Sequence, residues 1–182
     1  MNKKILFGIG VLFLCLVCGG VFYWWQNQAD VRALNTTLPE GVKIVKSLIG
    51  NEYRLVNKID GYEFKIPPEL IKLKEVKYYE EKDSNGISLE SMNEEFLGVG
   101  VYKINATDID LESWVDDWMN KFETFSWTKE KDEIGDFKTI ILKEKEYFSG
   151  GIECFFKKTL KFYSISSPSE EFIRYIIANG KW

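Results

Sequence analysis

The first 25 residues constrain this chain most, because they hold an apolar run without a single charge. The run extends from Ile5 to Trp25, which is 21 residues, and a helix needs about 20 residues to cross a bilayer. Lys3 and Lys4 precede the run, and the next basic residue is Arg32. Because basic residues stay on the cytoplasmic side, the pattern predicts a single-pass transmembrane helix with the amino terminus inside and the remaining chain outside.

Two other fates of this segment stay open at the level of the sequence. A cleaved signal peptide has an apolar region of about 7–15 residues that ends in small residues, and Cys18-Gly19-Gly20 offers such a site. A lipoprotein signal would use Cys15 or Cys18 as the lipidated residue. The aromatic end of the run, Tyr23-Trp24-Trp25, favours retention, because such rings sit well at a membrane–water interface.

The chain is expected to have three parts. Residues 1–25 form the membrane anchor, residues 26–50 a polar juxtamembrane linker, and residues 51–182 one extracytoplasmic domain. Acidic side chains (28) outnumber basic ones (24), for a net charge of −4, and an acidic domain is a poor partner for nucleic acid. The expected partners are therefore the membrane, through residues 5–25, and a protein in the cell envelope.

The chain contains no histidine, and this excludes several common kinds of site. Ser-His and Cys-His nucleophile pairs, a histidine general base and histidine-ligated zinc are all ruled out. Cys15 and Cys18 lie in the apolar run, so Cys154 has no disulfide partner in the domain, and its apolar neighbours indicate a buried core residue. We therefore expect no catalytic residues, no cofactor and no metal ligands.

The clearest helix is predicted from Asp110 to Phe125. The acidic string Asp108, Asp110 and Glu112 superficially resembles a calcium loop, but it lacks the loop glycine and the later bidentate glutamate. A helix cap and first-turn acids account for the same residues. The apolar residues of the helix recur at spacings of three and four on one face: Leu111, Trp114, Val115, Trp118, Phe122 and Phe125.

Strands are predicted on both sides of this helix. Asp60-Gly61 and Asn85-Gly86 are turn signals, and a final helix is expected to open after Ser167-Pro168. An order of strands, helix, strands and helix predicts an α+β domain, with helices packed on an antiparallel sheet. The predicted strands are two around Asp60-Gly61 within Tyr53 to Ile66, then 73–82, 87–92, 96–104, 137–142, 152–156 and 160–165.

Three segments resemble the Mog1/PsbP-like domain family. Residues 61–68 (GYEFKIPP) resemble its opening G-Y-x-F-x-x-P element, residues 110–115 its central helix start, and residues 172–177 its closing helix. The resemblance covers roughly residues 53–182. It implies an α/β/α sandwich that serves as a binding or accessory module, with no shared catalytic set and no metal positions to carry over.

Trp114, Trp118 and Trp127 are the candidate binding residues. They suit a sugar-stacking or partner surface, although an aromatic stripe at helical spacing is also typical of a core. The first functional hypothesis is a membrane-anchored binding or accessory domain without catalytic activity.

Two alternatives stay open. One is an extracytoplasmic enzyme acting on glycans through carboxylates such as Glu112, Asp116 or Asp117, which must flank the cleaved bond in a pair. The other is a small-ligand carrier or envelope sensor with an apolar pocket beneath Trp114 and Trp118.

Overall fold

The computed structural model of the chain describes residues 3–47, 52–70, 72–93, 95–103, 109–121, 126–144 and 151–182. Within these residues the helices are α1 (Lys3–Asn27), α2 (Ala29–Asn35), α3 (Leu111–Lys121) and α4 (Glu170–Asn179), with a 3₁₀ turn at Pro68–Leu70. The strands are β1 (Val42–Lys46), β2 (Tyr53–Asn57), β3 (Tyr62–Lys65), β4 (Leu73–Glu80), β5 (Ser84–Ser91), β6 (Phe96–Lys103), β7 (Trp127–Ile134), β8 (Phe137–Glu144), β9 (Ile152–Lys158) and β10 (Lys161–Ser167).

The strands form two antiparallel sheets, which confirms the predicted α+β class. The small sheet has the order β1-β2-β3, and the large sheet has the order β4-β5-β6-β10-β9-β8-β7. Helix α3 packs on β8 and β9 on one face of the large sheet. Helix α4 and the small sheet cover the opposite face.

The main core lies between the small sheet, the large sheet and α4. Along the small sheet buried and more exposed residues alternate, as expected for a sheet with one solvated face. Ile44, Leu55 and Phe64 lie on the buried face. Trp182 completes this core, because its ring contacts both sheets, at 5.4 Å between ring centroids from Tyr62 in β3 and from Tyr163 in β10.

A buried polar cluster joins the two sheets beside this core. The Asp60 carboxylate accepts hydrogen bonds from the side-chain amides of Asn57 (2.8 Å) and Asn85 (2.7 Å), and from the Tyr78 hydroxyl at 3.5 Å. Asp60 lies in the turn between β2 and β3, whereas Asn85 and Tyr78 belong to the large sheet. The cluster therefore fixes that turn against the large sheet.

Of the two turns predicted from the sequence, one lies where it was expected and the other does not. The turn at Asp60-Gly61 is confirmed, and Gly61 has a φ of +83° that favours glycine there. The hairpin between β4 and β5 turns instead through Glu81 to Ser84, where the Glu81 amide donates to the Ser84 carbonyl. Asn85 and Gly86 lie inside β5, because the buried Asn85 amide is committed to Asp60.

Residues 26–50, which the sequence analysis assigned to a juxtamembrane linker, contain regular secondary structure. Helix α2 and strand β1 lie within this segment. The Asn35 side chain donates to the Ile44 carbonyl (2.9 Å) and accepts from the Ile44 amide (2.7 Å). The Tyr53 hydroxyl donates to Asp30 near the start of α2. These bonds attach α2 to the edge of the small sheet.

The first helix, α1, runs from Lys3 to Asn27 and is followed by α2 after the single residue Gln28. In α1 the structure describes the side chain of Ile9 and the side chains between residues 12 and 27. Among the residues described in this way, no helix combines the length and the apolar character that crossing a membrane requires.

Candidate functional site

Helix α3 covers only half of the face of the large sheet on which it lies. It packs over β8 and β9, whereas β4, β5, β6 and part of β10 carry small, aromatic and charged residues on the same face, with the charged residues Glu75, Lys77 and Glu90 toward the β4 edge. Directly opposite residues of neighbouring strands share a face, so the strand register identifies the members of this surface. We call the small and aromatic part of this surface the open half; it consists of Tyr79, Gly86, Ser88, Phe96, Gly98, Gly100 and Ser166.

Glycines in the open half allow aromatic rings to lie close against the sheet. A Cβ atom on Gly98 would lie 3.3 Å from the Phe96 ring and 2.4 Å from the Ser166 hydroxyl oxygen. The Tyr79 ring lies over Gly86, and its hydroxyl accepts a hydrogen bond from Ser88 at 3.4 Å.

These rings are also accessible to solvent. Phe96 is 41% exposed and Tyr79 is 50% exposed. Exposed aromatic rings of this kind provide a surface on which the flat apolar face of a ligand or partner can stack. The open half therefore has the composition of a binding surface.

The three tryptophans predicted as binding residues lie together around Phe155, and all three are half-buried. Trp114 stacks on Phe162 with ring centroids 4.7 Å apart and meets Phe155 edge-on at 5.6 Å. Trp118 lies 5.0 Å from Phe155 and 6.1 Å from Trp127. Much of the surface of these rings therefore serves to pack α3 on the sheet, and Phe155 and Phe162 occupy the space beneath the first two.

Glu153 lies where the open half meets the part of the sheet covered by α3. Its neighbours across the strands are Ser166 of β10 and Leu142 of β8. Burial raises the pKa of Glu153 to about 7, although a hydrogen bond from Ser164 acts in the opposite direction. A carboxyl group that exchanges its proton near neutral pH, beside an aromatic surface, is a candidate functional group.

A network of polar side chains surrounds this carboxyl group. The Ser164 hydroxyl lies within hydrogen-bonding reach of both Glu153 and Tyr102. Burial raises the pKa of the Tyr102 hydroxyl, and hydrogen bonds with Ser164 and Trp118 oppose that rise. We call Tyr102, Trp118, Glu153 and Ser164 the Glu153 cluster. It links the end of α3 to the strands that carry the open half.

The sequence analysis identified one member of this cluster, Trp118, and missed Glu153. The signal that marks Glu153 is an acidic residue within the apolar segment Ile152 to Phe156. Alternation along the strand places Glu153 on the face opposite to that of Cys154 and Phe156. The alternation also explains Cys154, which is buried as predicted. Burial raises the pKa of the Cys154 thiol to about 12, so this thiol is not an activated nucleophile.

Of the three acids of α3 that the sequence analysis named as catalytic candidates, Glu112 and Asp116 are engaged elsewhere, whereas Asp117 is exposed. Asp110 caps the helix, because its carboxylate accepts from the Ser113 amide (2.9 Å) and the Ser113 hydroxyl (2.8 Å). Glu112 pairs with Lys131 (2.6 Å), and Asp116 pairs with Lys129 (2.5 Å), both in the edge strand β7. Asp108 lies outside the described residues. Across the described ranges, no group of three or more acidic or cysteine side chains is arranged to hold a metal ion.

Comparisons with known proteins add no family to this description. No protein-family model matches the sequence, and no curated protein matches it significantly.

Proposed function

We propose that this chain is a single-pass, membrane-anchored binding domain that works on the outer side of the membrane without catalytic activity. The observation that carries the binding role is the open half of the large sheet, with its exposed aromatic rings beside the Glu153 cluster. The partner we propose is a protein of the cell envelope that covers Tyr79 and Phe96.

The membrane location is supported by the side chains of α1. Every large apolar side chain described between Ile9 and Trp25 is exposed, by 45% to 70%. Exposed apolar surface of this extent is unfavourable in water, and burial in lipid would relieve it. The charge-free run begins earlier, at Ile5, and follows Lys3 and Lys4, which favours the orientation with the domain outside.

The arrangement of layers supports the proposed Mog1/PsbP-like fold. Helix α3 lies on one face of the large antiparallel sheet and α4 on the other, which is compatible with an α/β/α sandwich. The family resemblance implies a binding or accessory module, so it points in the same direction as the open half.

The carboxylate-based enzyme on glycans is the alternative that one observation favours. A carboxyl group with a pKa near 7, such as that of Glu153, has the character of a general acid. Such an enzyme needs a second carboxylate across the bond. Among the described residues, burial raises the Glu153 pKa against an opposing hydrogen bond from Ser164, and no second carboxylate contributes to the shift. Glu112 and Asp116 are paired with β7, and Asp117 is exposed on α3. We therefore favour binding over catalysis.

The location is tested with the full chain expressed in a bacterial membrane. We expect the chain to stay with the membrane in alkaline carbonate, and the domain to be degraded by protease added to right-side-out vesicles but protected in inside-out vesicles. Extraction by carbonate, or the opposite pattern of protection, would contradict the proposal.

The binding role is tested by photo-crosslinking in the native membrane. A photoreactive amino acid replaces Tyr79 or Phe96, and Leu160, which is 60% exposed in the turn between β9 and β10, serves as the matched control position. We expect one discrete, stoichiometric adduct from both test positions and none from position 160. No adduct from the test positions, or the same adducts from all three, would rule out the open half as the binding surface.

A further inference from the structure

The outer face of the small sheet carries a basic patch. The inner face of β1, β2 and β3 is buried, and basic side chains recur on the other face. The strand register places Val45, Arg54 and Lys65 side by side. A depression of about 330 Å³ lies on this face, and its lining includes Lys43, Arg54, Lys58 and Lys65.

The charge of this patch is opposite to that of the chain. Glu63 interacts with Arg54 and with Lys181 (3.8 Å), and Glu52 pairs with Lys65 at 3.2 Å. The patch therefore contains two carboxylates and five basic groups. It has a surplus of positive charge, whereas the whole chain has a net charge of −4. The five basic residues are Lys43, Arg54, Lys58, Lys65 and Lys181.

Apolar side chains are exposed among these cations. Val45 is 37% exposed and Ile59 is 45% exposed. A surface that combines basic and apolar side chains suits the interfacial region of a bilayer, where phosphate groups and acyl chains are both within reach.

The patch lies beside the end of α1. Gln28, which directly follows α1, donates from its side-chain amide to the Lys46 carbonyl at 3.4 Å. Asp30 accepts from Tyr53 and pairs with Lys46 at 3.3 Å. Lys46 ends β1 and Tyr53 begins β2, so this end of the small sheet lies next to the residues that follow the apolar helix.

We propose that the outer face of the small sheet rests on the membrane and binds the anionic headgroups of its phospholipids. This inference rests on the proposed anchor, because α1 would hold the patch permanently close to the bilayer surface. The small sheet and the open half lie on opposite sides of the large sheet. Docking of the basic patch would therefore turn the open half away from the membrane, toward a partner.

The test uses the full chain reconstituted in vesicles of phosphatidylcholine, alone or with about 30% phosphatidylglycerol, a content at which basic surface groups are strongly attracted. A fluorophore is attached at Lys43→Cys in a Cys15→Ser/Cys18→Ser background, in which the remaining Cys154 is buried. Its quenching by a lipid with a nitroxide headgroup is measured. Lys138→Cys, an exposed position on the opposite face of the large sheet, is the control site.

We expect quenching at position 43 to be at least about twofold stronger with the anionic lipid and to weaken as salt screens the charges. Quenching at position 138 should be weak in both lipids. The Arg54→Glu/Lys65→Glu variant should lose the increase, whereas Lys74→Glu/Lys77→Glu, an equal change of charge on β4, should keep it. Circular dichroism verifies that each variant is folded.

Carbonate extraction of the same vesicles separates the two proposals. A chain that is extracted contradicts the anchor. A chain that resists extraction, but shows equal quenching at positions 43 and 138 or no dependence on anionic lipid, overturns the docking proposal and leaves the anchor intact.

Discussion

Glu153 shows how much a single residue can depend on its surroundings. Its carboxyl group has an ordinary pKa of 4.5, and burial raises that value to about 7 in the folded chain, against an opposing hydrogen bond from Ser164. Between these two values the unfolded chain has released the proton that the folded chain retains. Stability therefore falls as pH rises from about 4.5 to about 7, is unaffected by this group at lower pH, and stays reduced at higher pH.

Glu153→Gln should remove this dependence, because the amide resembles the protonated acid and does not titrate. A shift of this size corresponds to about 3 kcal/mol. The free energy of unfolding of the variant minus that of the wild type should therefore be about 3 kcal/mol larger at pH 8 than at pH 4. Urea unfolding measured at both pH values checks the prediction.

The exposed Glu133→Gln variant is the matched control for the loss of one negative charge. If Glu153→Gln and Glu133→Gln change the pH dependence of stability equally, the burial of Glu153 is not the cause of that dependence.

At this scale the sequence was informative about caps and core residues and less so about the site. Asp110 could be predicted as a helix cap, because a cap depends on residues two or three positions away. An acid within an apolar segment draws attention to Glu153, but its polar surroundings could not be predicted, because they are made by Ser164 and Tyr102 on two other strands of the sheet. Their approach depends on the strand order, and no local pattern encodes that order.

Among the elements, α2 has the clearest structural role. Asn35 bonds to both backbone groups of Ile44 and so mimics one more strand at the edge of β1. An edge strand that is covered in this way is protected from pairing with another chain.

Asn35→Ala should expose this edge. The loss of two hydrogen bonds should lower the free energy of unfolding by about 1–2 kcal/mol and should accelerate hydrogen exchange at the Ile44 amide. Hydrogen exchange followed by NMR tests this. Thr36→Ala, which removes a bond to the Ala33 carbonyl at the exposed end of α2, should leave the Ile44 amide protected. Equal exchange rates in the two variants would argue against the role of Asn35.

Two strands were not predicted from the sequence, for physical reasons that differ. Strand β7 has the sequence WTKEKDEI, in which no alternation of apolar and polar residues is visible. The reason is that Lys129 and Lys131, which contact α3, are charged and pair with acidic side chains of that helix. Strand β1 follows a polar segment and is only five residues long. Its pairing with β2 and the Asn35 contacts define it, and neither is visible in the five residues of the strand itself.

The whole domain depends on contacts between distant parts of the chain. Trp182 packs against Tyr62 of β3, Phe156 of β9 and Tyr163 of β10, with ring centroids 4.9–5.4 Å apart. The neighbouring Lys181 exchanges two backbone hydrogen bonds with Glu63. These contacts join the two sheets at one point.

Trp182→Ala should therefore destabilise the entire domain. A buried tryptophan replaced by alanine typically costs about 3–5 kcal/mol, and we expect one cooperative unfolding transition at a lower temperature. Lys181→Ala keeps the backbone bonds and should change stability by about 0.5 kcal/mol or less. Calorimetry of both variants tests the comparison. A loss confined to the small sheet would show that the sheets unfold separately.

At the scale of the molecule, the α+β class followed from the order of predicted elements, whereas the division into two sheets did not. Strands β3 and β4 are separated by residues 66–72, which include the 3₁₀ turn at Pro68–Leu70, and the sequence of this connection does not show that the two strands belong to different sheets. The open half was equally hidden, because it is defined by where α3 ends relative to strands far away in the sequence.

The short connection between α1 and α2 limits the reach of the domain. One residue, Gln28, separates the two helices, and Asn35 fastens the second to the small sheet. A flexible linker of about 25 residues would let a domain search a radius of roughly 27 Å. The connection through Gln28 and α2 is much shorter and allows the domain almost no movement away from the end of α1. In the proposed membrane-anchored chain, the domain would therefore not capture distant targets by swinging on a tether. Its encounters would depend on lateral diffusion, and the proposed partner would have to travel in the same plane or extend down to it.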